Sequence, residues 1–384
     1  MISVITGYKR LIVLVLFIAT LLFSCSKDDV QETENILDIN LTIIGEDAQE
    51  VYQYDYESVN NEGNQINLSS QLGINNNYLT LREFEGSLSF YSFSNSAISL
   101  TQKNLATGSI TSFPNFYTIS AERSLVWGIN DGNSVYFGLY KPLGSTNLTL
   151  RVVSFADMQG FDISLEFGIA RLYEPLYDNG NLFITYLTGG GSYKLVVYNA
   201  DANAVVKTLE FGKEKPNFLI TDLGNLAVFM QDGNGNTNLE MFDTINFLSI
   251  SKLLLPLPSC IKTTMVQPFE AGPINGAIVK EKLYYQYVYT QPFEIENGPA
   301  VLDLTSGDNT ILDIVGLMNK VNDDEGIIIR PLFGQYLSGI NLFAISYALQ
   351  NAVGEEIGGF LLVSIDGNLV TQRNLEFLPT HFVD

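Results

Sequence analysis

Six basic side chains occupy comparable places in a repeating pattern of this sequence: Arg123, Arg171, Lys215, Lys262, Arg330 and His381. Basic residues are scarce, 20 Lys and Arg against 42 Asp and Glu, so a set that recurs in register is a candidate for chemistry. Aromatic residues accompany them at Phe116, Tyr117, Tyr173, Phe218, Phe269, Phe333 and Phe382. Cations with aromatic faces inside an acidic shell would attract an anionic, partly aromatic ligand by charge and by cation–π or stacking contact. The ligand-binding candidates are Arg123, Arg171, Tyr173, Lys215, Lys262, Arg330 and His381. In the competing reading the same cations pair with neighbouring acids.

Other chemistry is harder to assemble. A single histidine, His381, cannot build a His-based triad or a His-rich metal site. Gly189-Gly-Gly-Ser192 reads as a hairpin loop, since no helix comes after it to hold a phosphate. With so many acids, close carboxylate pairs are inevitable and no glycosidase pair can be chosen. The loop from Asp232, with Asn234, Asn236, Asn238, Glu240 and Asp243, spaces oxygen side chains as a calcium loop does. Thr237 stands where that pattern wants Gly, and no helices flank it. A plain hairpin is the simpler reading. No catalytic residue and no cofactor is assigned.

The elements that must position the basic set are short strands. The stretch Arg171–Gly212 reads as four β-branched or aromatic runs separated by Asn, Asp and Gly, which is an antiparallel meander. Its second run recurs with starts at Leu41, Leu88, Val135, Leu182, Leu226, Leu283 and Leu342, the first three intervals all being 47 residues. The later intervals are 44, 57 and 59, and a period in this range is what propeller blades or solenoid repeats produce. Gly86, Gly132, Gly180, Gly224 and Gly339 precede five of the starts, where a tight turn needs positive φ; Leu283 instead comes after Lys280-Glu281-Lys282.

The fold class expected is therefore all-β, a propeller of four-stranded antiparallel blades, with seven favoured over six or eight. The N-terminal runs Leu37–Gly45, Val51–Glu57 and Gln65–Leu72 lack an inner strand, and Pro379–Asp384 supplies one. Blade 5 is expected to have Val266–Ala271 as its inner strand. Leu312–Val321 is the one candidate helix, and Trp127 reads as core.

The N-terminus carries an address. Lys9-Arg10 precede an apolar run, Leu11–Phe23, too short to span a bilayer, and it ends in Leu22-Phe-Ser-Cys25. This ending resembles a lipobox, which implies cleavage after residue 24 and lipidation of Cys25. Ser26, Lys27, Asp28 and Asp29 come directly after it and resemble the export signal of Bacteroidetes surface lipoproteins, implying a lipid-anchored protein displayed on the outer membrane. The domain plan is signal peptide 1–24, acidic tether 25–36 and a single propeller, 37–384. Removing residues 1–24, which hold Lys9 and Arg10 and no acid, leaves 18 basic and 42 acidic residues, a net charge of −24. That balance argues against nucleic acid and against anionic lipid headgroups. Cys260, the other cysteine, reads as a buried apolar residue.

Address and repeat together resemble the propeller lipoproteins of Bacteroidetes that accompany TonB-dependent transporters, some of which hold ferric siderophores. The resemblance implies capture of an extracellular ligand, an anionic small molecule such as a ferric siderophore or an acidic glycan, at one propeller mouth for an outer-membrane transporter. A structural or adhesive surface propeller is the alternative, and a carboxylate-dependent hydrolase or lyase is a third.

Overall fold

The computed structural model describes residues 38–60, 62–119, 124–231, 236–255, 270–290, 292–350 and 354–384. Seven antiparallel sheets stand in a ring, so the chain is a seven-bladed β-propeller. Blade 1 comprises Thr80–Phe84, Ser87–Ser94, Ala97–Asn104 and Ile110–Thr118, from inner to outer strand. Blade 2 is Ser124–Asn130, Ser134–Tyr140, Leu148–Ser154 and Gly160–Glu166. In blade 3 an inner strand split into Ile169–Leu172 and Leu176–Asp178 precedes Asn181–Thr188, Tyr193–Asn199 and Ala204–Gly212. Blade 4 is Asn217–Ile220, Leu226–Gln231, Thr237–Phe242 and Ser249–Leu255, and blade 5 is Gly276–Val279, Lys282–Val288, Asn297–Asp303 and Asn309–Ile311. Blade 6 is Ile329–Leu337, Leu342–Gln350, Glu356–Ser364 and Leu369–Leu375.

Blade 7 joins both ends of the chain. Its inner strand, Leu378–Val383, pairs with Asn40–Glu46, and Val51–Glu57 and Glu62–Asn67 complete the sheet. The pairs Thr42↔Val383 and Ile43↔Phe382 fix the register of this closure. Residues 38–39, 57–60 and 62 form a small unit of their own, in which the Ile39 amide donates to Ser58 Oγ at 2.8 Å and the Ser58 amide to the Ile39 carbonyl at 3.0 Å.

Second strands are mainly apolar because both faces are covered by neighbouring blades: Leu342–Leu349 is buried throughout. Outer strands such as Ala204–Gly212 alternate between exposed and half-buried. In blades 1, 3 and 5 two-residue hairpins join inner to second strand with positive φ at both positions, as the right-handed strand twist requires. Asn179 and Gly180 show it (42° and 78°), and so do Lys280 and Glu281 (49° and 63°) without any glycine. Tyrosines lock several turns. Tyr52, Tyr136, Tyr198 and Tyr336 each donate to an Asp or Asn five residues away, namely Asp47, Asp131, Asn203 and Asn341.

Several expected elements need correction. The last strand of blade 7 ends at Asn67, and Leu68–Leu72 is a short helix, α1. Asn67 Oδ1 accepts from the Ser70 amide at 2.8 Å, and Leu68 and Leu72, four apart, are buried on one face. The inner strand of blade 5 is Gly276–Val279, because the Lys280-Glu281 turn ties the nearer run directly to the second strand; residues 256–269 lie outside the described residues. The inner strand of blade 3 breaks around Glu174-Pro175, where proline has no N–H to give. The candidate helix runs Ile314–Glu325, here α2, starting one residue after Asp313, whose side chain caps the Gly316 amide at 2.9 Å. Gly339 is not the left-handed turn residue of blade 6; Asn341 (φ 57°) is. Gly339 instead admits the chain's last residue, its amide donating to Asp384 Oδ2 at 2.7 Å, where a Cβ would stand 2.9 Å from that oxygen. No helix among the described residues is long and apolar enough to cross a membrane.

Candidate functional site

Inner strands run in one direction around the ring, so their entry ends face a common mouth. At that mouth Arg171, in the first half of blade 3's inner strand, is half exposed, its side chain 49% accessible. Its guanidinium lies 5.3 Å from the centre of the Tyr173 ring, and Tyr173 stacks on Tyr193 at 6.2 Å. Arg171 Nη1 stands 3.1 Å from Glu270 Oε1. Glu270 is held from blade 4, because Asn217 Nδ2 donates to its backbone carbonyl. Just beyond it, Gly272 takes a φ of 118°, open mainly to glycine, and pairs in parallel with Asn217. Burial, and then the hydrogen bond with Tyr193, raise the Tyr173 phenol far above its ordinary range, so it remains neutral. The cluster thus offers one guanidinium and two phenol faces beside one carboxylate.

A second guanidinium, overlooked in the sequence because it lies in mid-strand, ties the blades together. Arg82 of blade 1 donates through Nε to the Gly128 carbonyl of blade 2 at 3.3 Å and through Nη2 to Glu174 of blade 3. One side chain therefore spans three inner strands. Its only signal in the sequence is a charge between Leu81 and Phe84 in a strand expected to border the channel.

His381 does not belong to a cation set. It sits in blade 7's inner strand, with Nδ1 3.0 Å from Thr380 Oγ1, and that hydroxyl donates to the Ile44 carbonyl at 3.2 Å. Burial, and then the nearby charge of Arg82, push the imidazole pKa down to about 4. At neutral pH it carries no charge, which corrects the reading of six cations.

The remaining candidates are dispersed. Arg330, at the start of blade 6's inner strand, is engaged by Glu356 at 2.6 Å, not by the Arg171 cluster. Lys215 is exposed ahead of blade 4's inner strand. Arg123, Lys262, Cys25, Ser26, Lys27, Asp28, Asp29, Asp232, Asn234 and Cys260 lie outside the described residues. Asn236 is exposed, and the pattern after it runs as the strand Thr237–Phe242, paired on both sides. Glu240 is bonded to Lys252 at 3.0 Å, and Asp243 accepts from the Ile245 amide at 2.7 Å, so neither turns toward a shared ion. Among the described residues no three His, Cys, Asp or Glu side chains gather as a metal site.

No protein-family model matches this chain, and no curated protein does. Solved structures do. A protein from Lactobacillus plantarum aligns over 90% of this chain and 100% of its own, with a TM-score of 0.50 and 12% identity. The β-propeller domain of the Trilobed protease from Pyrococcus furiosus aligns over 76% and 82% at a TM-score of 0.43 and 8% identity. A prolyl endopeptidase aligns over 78% of this chain at a TM-score of 0.47 and 12% identity, and the match spans 43% of that enzyme. At such identities the likeness is one of fold alone.

Proposed function

We propose that this is a lipid-anchored, surface-displayed propeller that captures an anionic extracellular ligand at the inner-strand mouth for a TonB-dependent transporter of the outer membrane. Cys25 carries the anchor and Ser26-Lys27-Asp28-Asp29 direct export in this reading. The observation that carries ligand capture is the half-exposed Arg171 guanidinium, oriented over Tyr173 and backed by Tyr193.

Charge at the mouth narrows the ligand. Glu270 and Glu174 each sit beside a guanidinium, so little net positive charge remains for a compact, multiply charged ferric catecholate. A sugar carrying a single carboxylate suits the cluster better: one charge for Arg171, an apolar ring face for Tyr173, and hydroxyls for Glu270. An acidic glycan is the ligand class favoured.

The test uses the soluble form that Cys25→Ser should release from the membrane. Calorimetric titration with an oligouronate should show binding, and Arg171→Gln should weaken it about tenfold, ~1.4 kcal/mol. Equal binding by the variant would remove the mouth as the site, and tighter binding of a ferric tris-catecholate would reverse the ligand choice.

A further inference from the structure

Blades 5 and 6 share a core in which Tyr284 stacks on Tyr336 at 3.8 Å. Between them lies a cleft of about 310 Å³, floored by Gln286 of blade 5's second strand and walled by Ile295, Ile314, Phe333 and Ile345. This is near the lower bound for small-ligand sites, the room of a single ring. Gln286 is 2% exposed, and its Nε2 has no hydrogen-bond partner among the described residues. The amide lies against Gly334, where a Cβ would come within 2.7 Å of Nε2, so glycine there makes space for it. A donor buried without an acceptor is costly and calls for an explanation, whether a water, an ion or a ligand; Trp127 Nε1, Arg151 Nε and Thr185 Oγ1 share this state, but of the four residues Gln286 is the one that lines this cleft. Gln286 lines the cleft, and the last side-chain torsion of glutamine, which orients its amide, is soft.

The rim sets the charge of any occupant. Glu294 and Glu296 are exposed there, and Arg330, the one cation lining the cleft among the described residues, is already engaged by Glu356. Three carboxylates around one guanidinium repel an anion and accept hydrogen bonds from hydroxyls. An occupant must therefore be uncharged, carry an acceptor oxygen for the floor, show an apolar group to isoleucine and phenylalanine, and bear hydroxyls outward.

We infer that the cleft between blades 5 and 6 is a binding site for an N-acetylated sugar residue, the acetamido carbonyl accepting from Gln286, the methyl packing on Ile295 and Ile345, and ring hydroxyls donating to Glu294 and Glu296. The cleft shares no lining residue with the Arg171 cluster and does not depend on it. Saturation-transfer NMR and calorimetry on the soluble protein, with N-acetylglucosamine, glucose and glucuronate as probes, test the assignment. N-acetylglucosamine should receive transfer most strongly at its acetyl methyl, glucose should bind about tenfold more weakly, one hydrogen bond's worth, and glucuronate should not bind. Gln286→Leu should lower N-acetylglucosamine affinity at least tenfold, and Glu296→Gln, an exposed change that cannot harm the core, should lower it severalfold. Arg171→Gln should leave it unchanged, which separates this site from the mouth. No transfer to the acetyl methyl, equal affinity for glucose, or an unaltered Glu296→Gln variant would each overturn the assignment.

Discussion

The seam between blades 7 and 1 and the cleft between blades 5 and 6 solve one problem in opposite ways. Each has a polar side chain, at most 3% exposed, buried between blades. At the first, Lys103 donates to Gln53 and Gln71, both at 2.7 Å, Gln53 donates on to Asp55, and Thr42 donates to Asp55 as well. At the second, Gln286 Nε2 meets no acceptor among the described residues. A buried polar group whose bonds are made within the chain holds structure together, whereas one left open beside a cleft has a bond to give to an occupant.

The severest way to break the comparison is to remove the seam's own strand. Deleting Leu378–Asp384 takes the inner strand from blade 7 and strips Phe382 from its contacts with Phe333 and Phe360. Phe382 alone is worth ~1.5–3 kcal/mol of burial. Thermal or urea unfolding should show a loss of several kcal/mol, and an unchanged transition would reduce the strand to a tail.

Acid should probe the same seam next. The folded pKa of His381, about 4, lies below the ordinary 6.5. Because the folded state resists taking the proton, the unfolded chain binds more protons between pH 6.5 and 4. Stability conferred by the neutral ring is therefore complete above pH 6.5 and falls as pH drops through that window, by on the order of 2–3 kcal/mol in all. His381→Gln should flatten that part of the stability–pH curve, and a curve of unchanged slope would remove His381 as its source.

The smallest pair of effects is also the most direct contrast. Lys103→Met leaves the amide oxygens of Gln53 and Gln71 without their donor and should cost ~1–3 kcal/mol. Gln286→Leu removes a donor that had no acceptor and should be neutral or stabilise by up to ~1 kcal/mol. Urea midpoints of the two variants, measured without sugar, should move in opposite directions; a matching loss for both would mean that Gln286 is as much a structural group as Lys103.

Much of this molecule is legible as sequence. The second strands are covered on both faces, so each is a mainly apolar run, and seven such runs, the first four spaced by 47 residues, declare a ring of blades. The closing strand is legible for a related reason, since three N-terminal runs lack a fourth and the last residues of the chain match an inner strand. Where local chemistry admits two answers the sequence misleads. Lys280-Glu281 carries a left-handed turn without glycine, which hides the inner strand of blade 5 and points to a run too early in the chain. Helix α1 replaces an expected strand end because the Asn67 side chain caps the turn of backbone that begins at Leu68.

Charge is the part that only tertiary structure decides. Sequence locates Arg171, Arg330 and His381 at strand entries, but whether a base there is free, paired or neutral depends on groups brought from far along the chain. Glu270 reaches Arg171 from 99 residues away and Arg82 meets Glu174 across 92. His381 loses its charge to burial within the ring and to Arg82 from the neighbouring blade. Strand periodicity is a local property, written every second residue, so one sequence reveals it. Electrostatics and hydrogen-bond satisfaction are set by distances of a few ångströms between blades, which exist once the ring has closed.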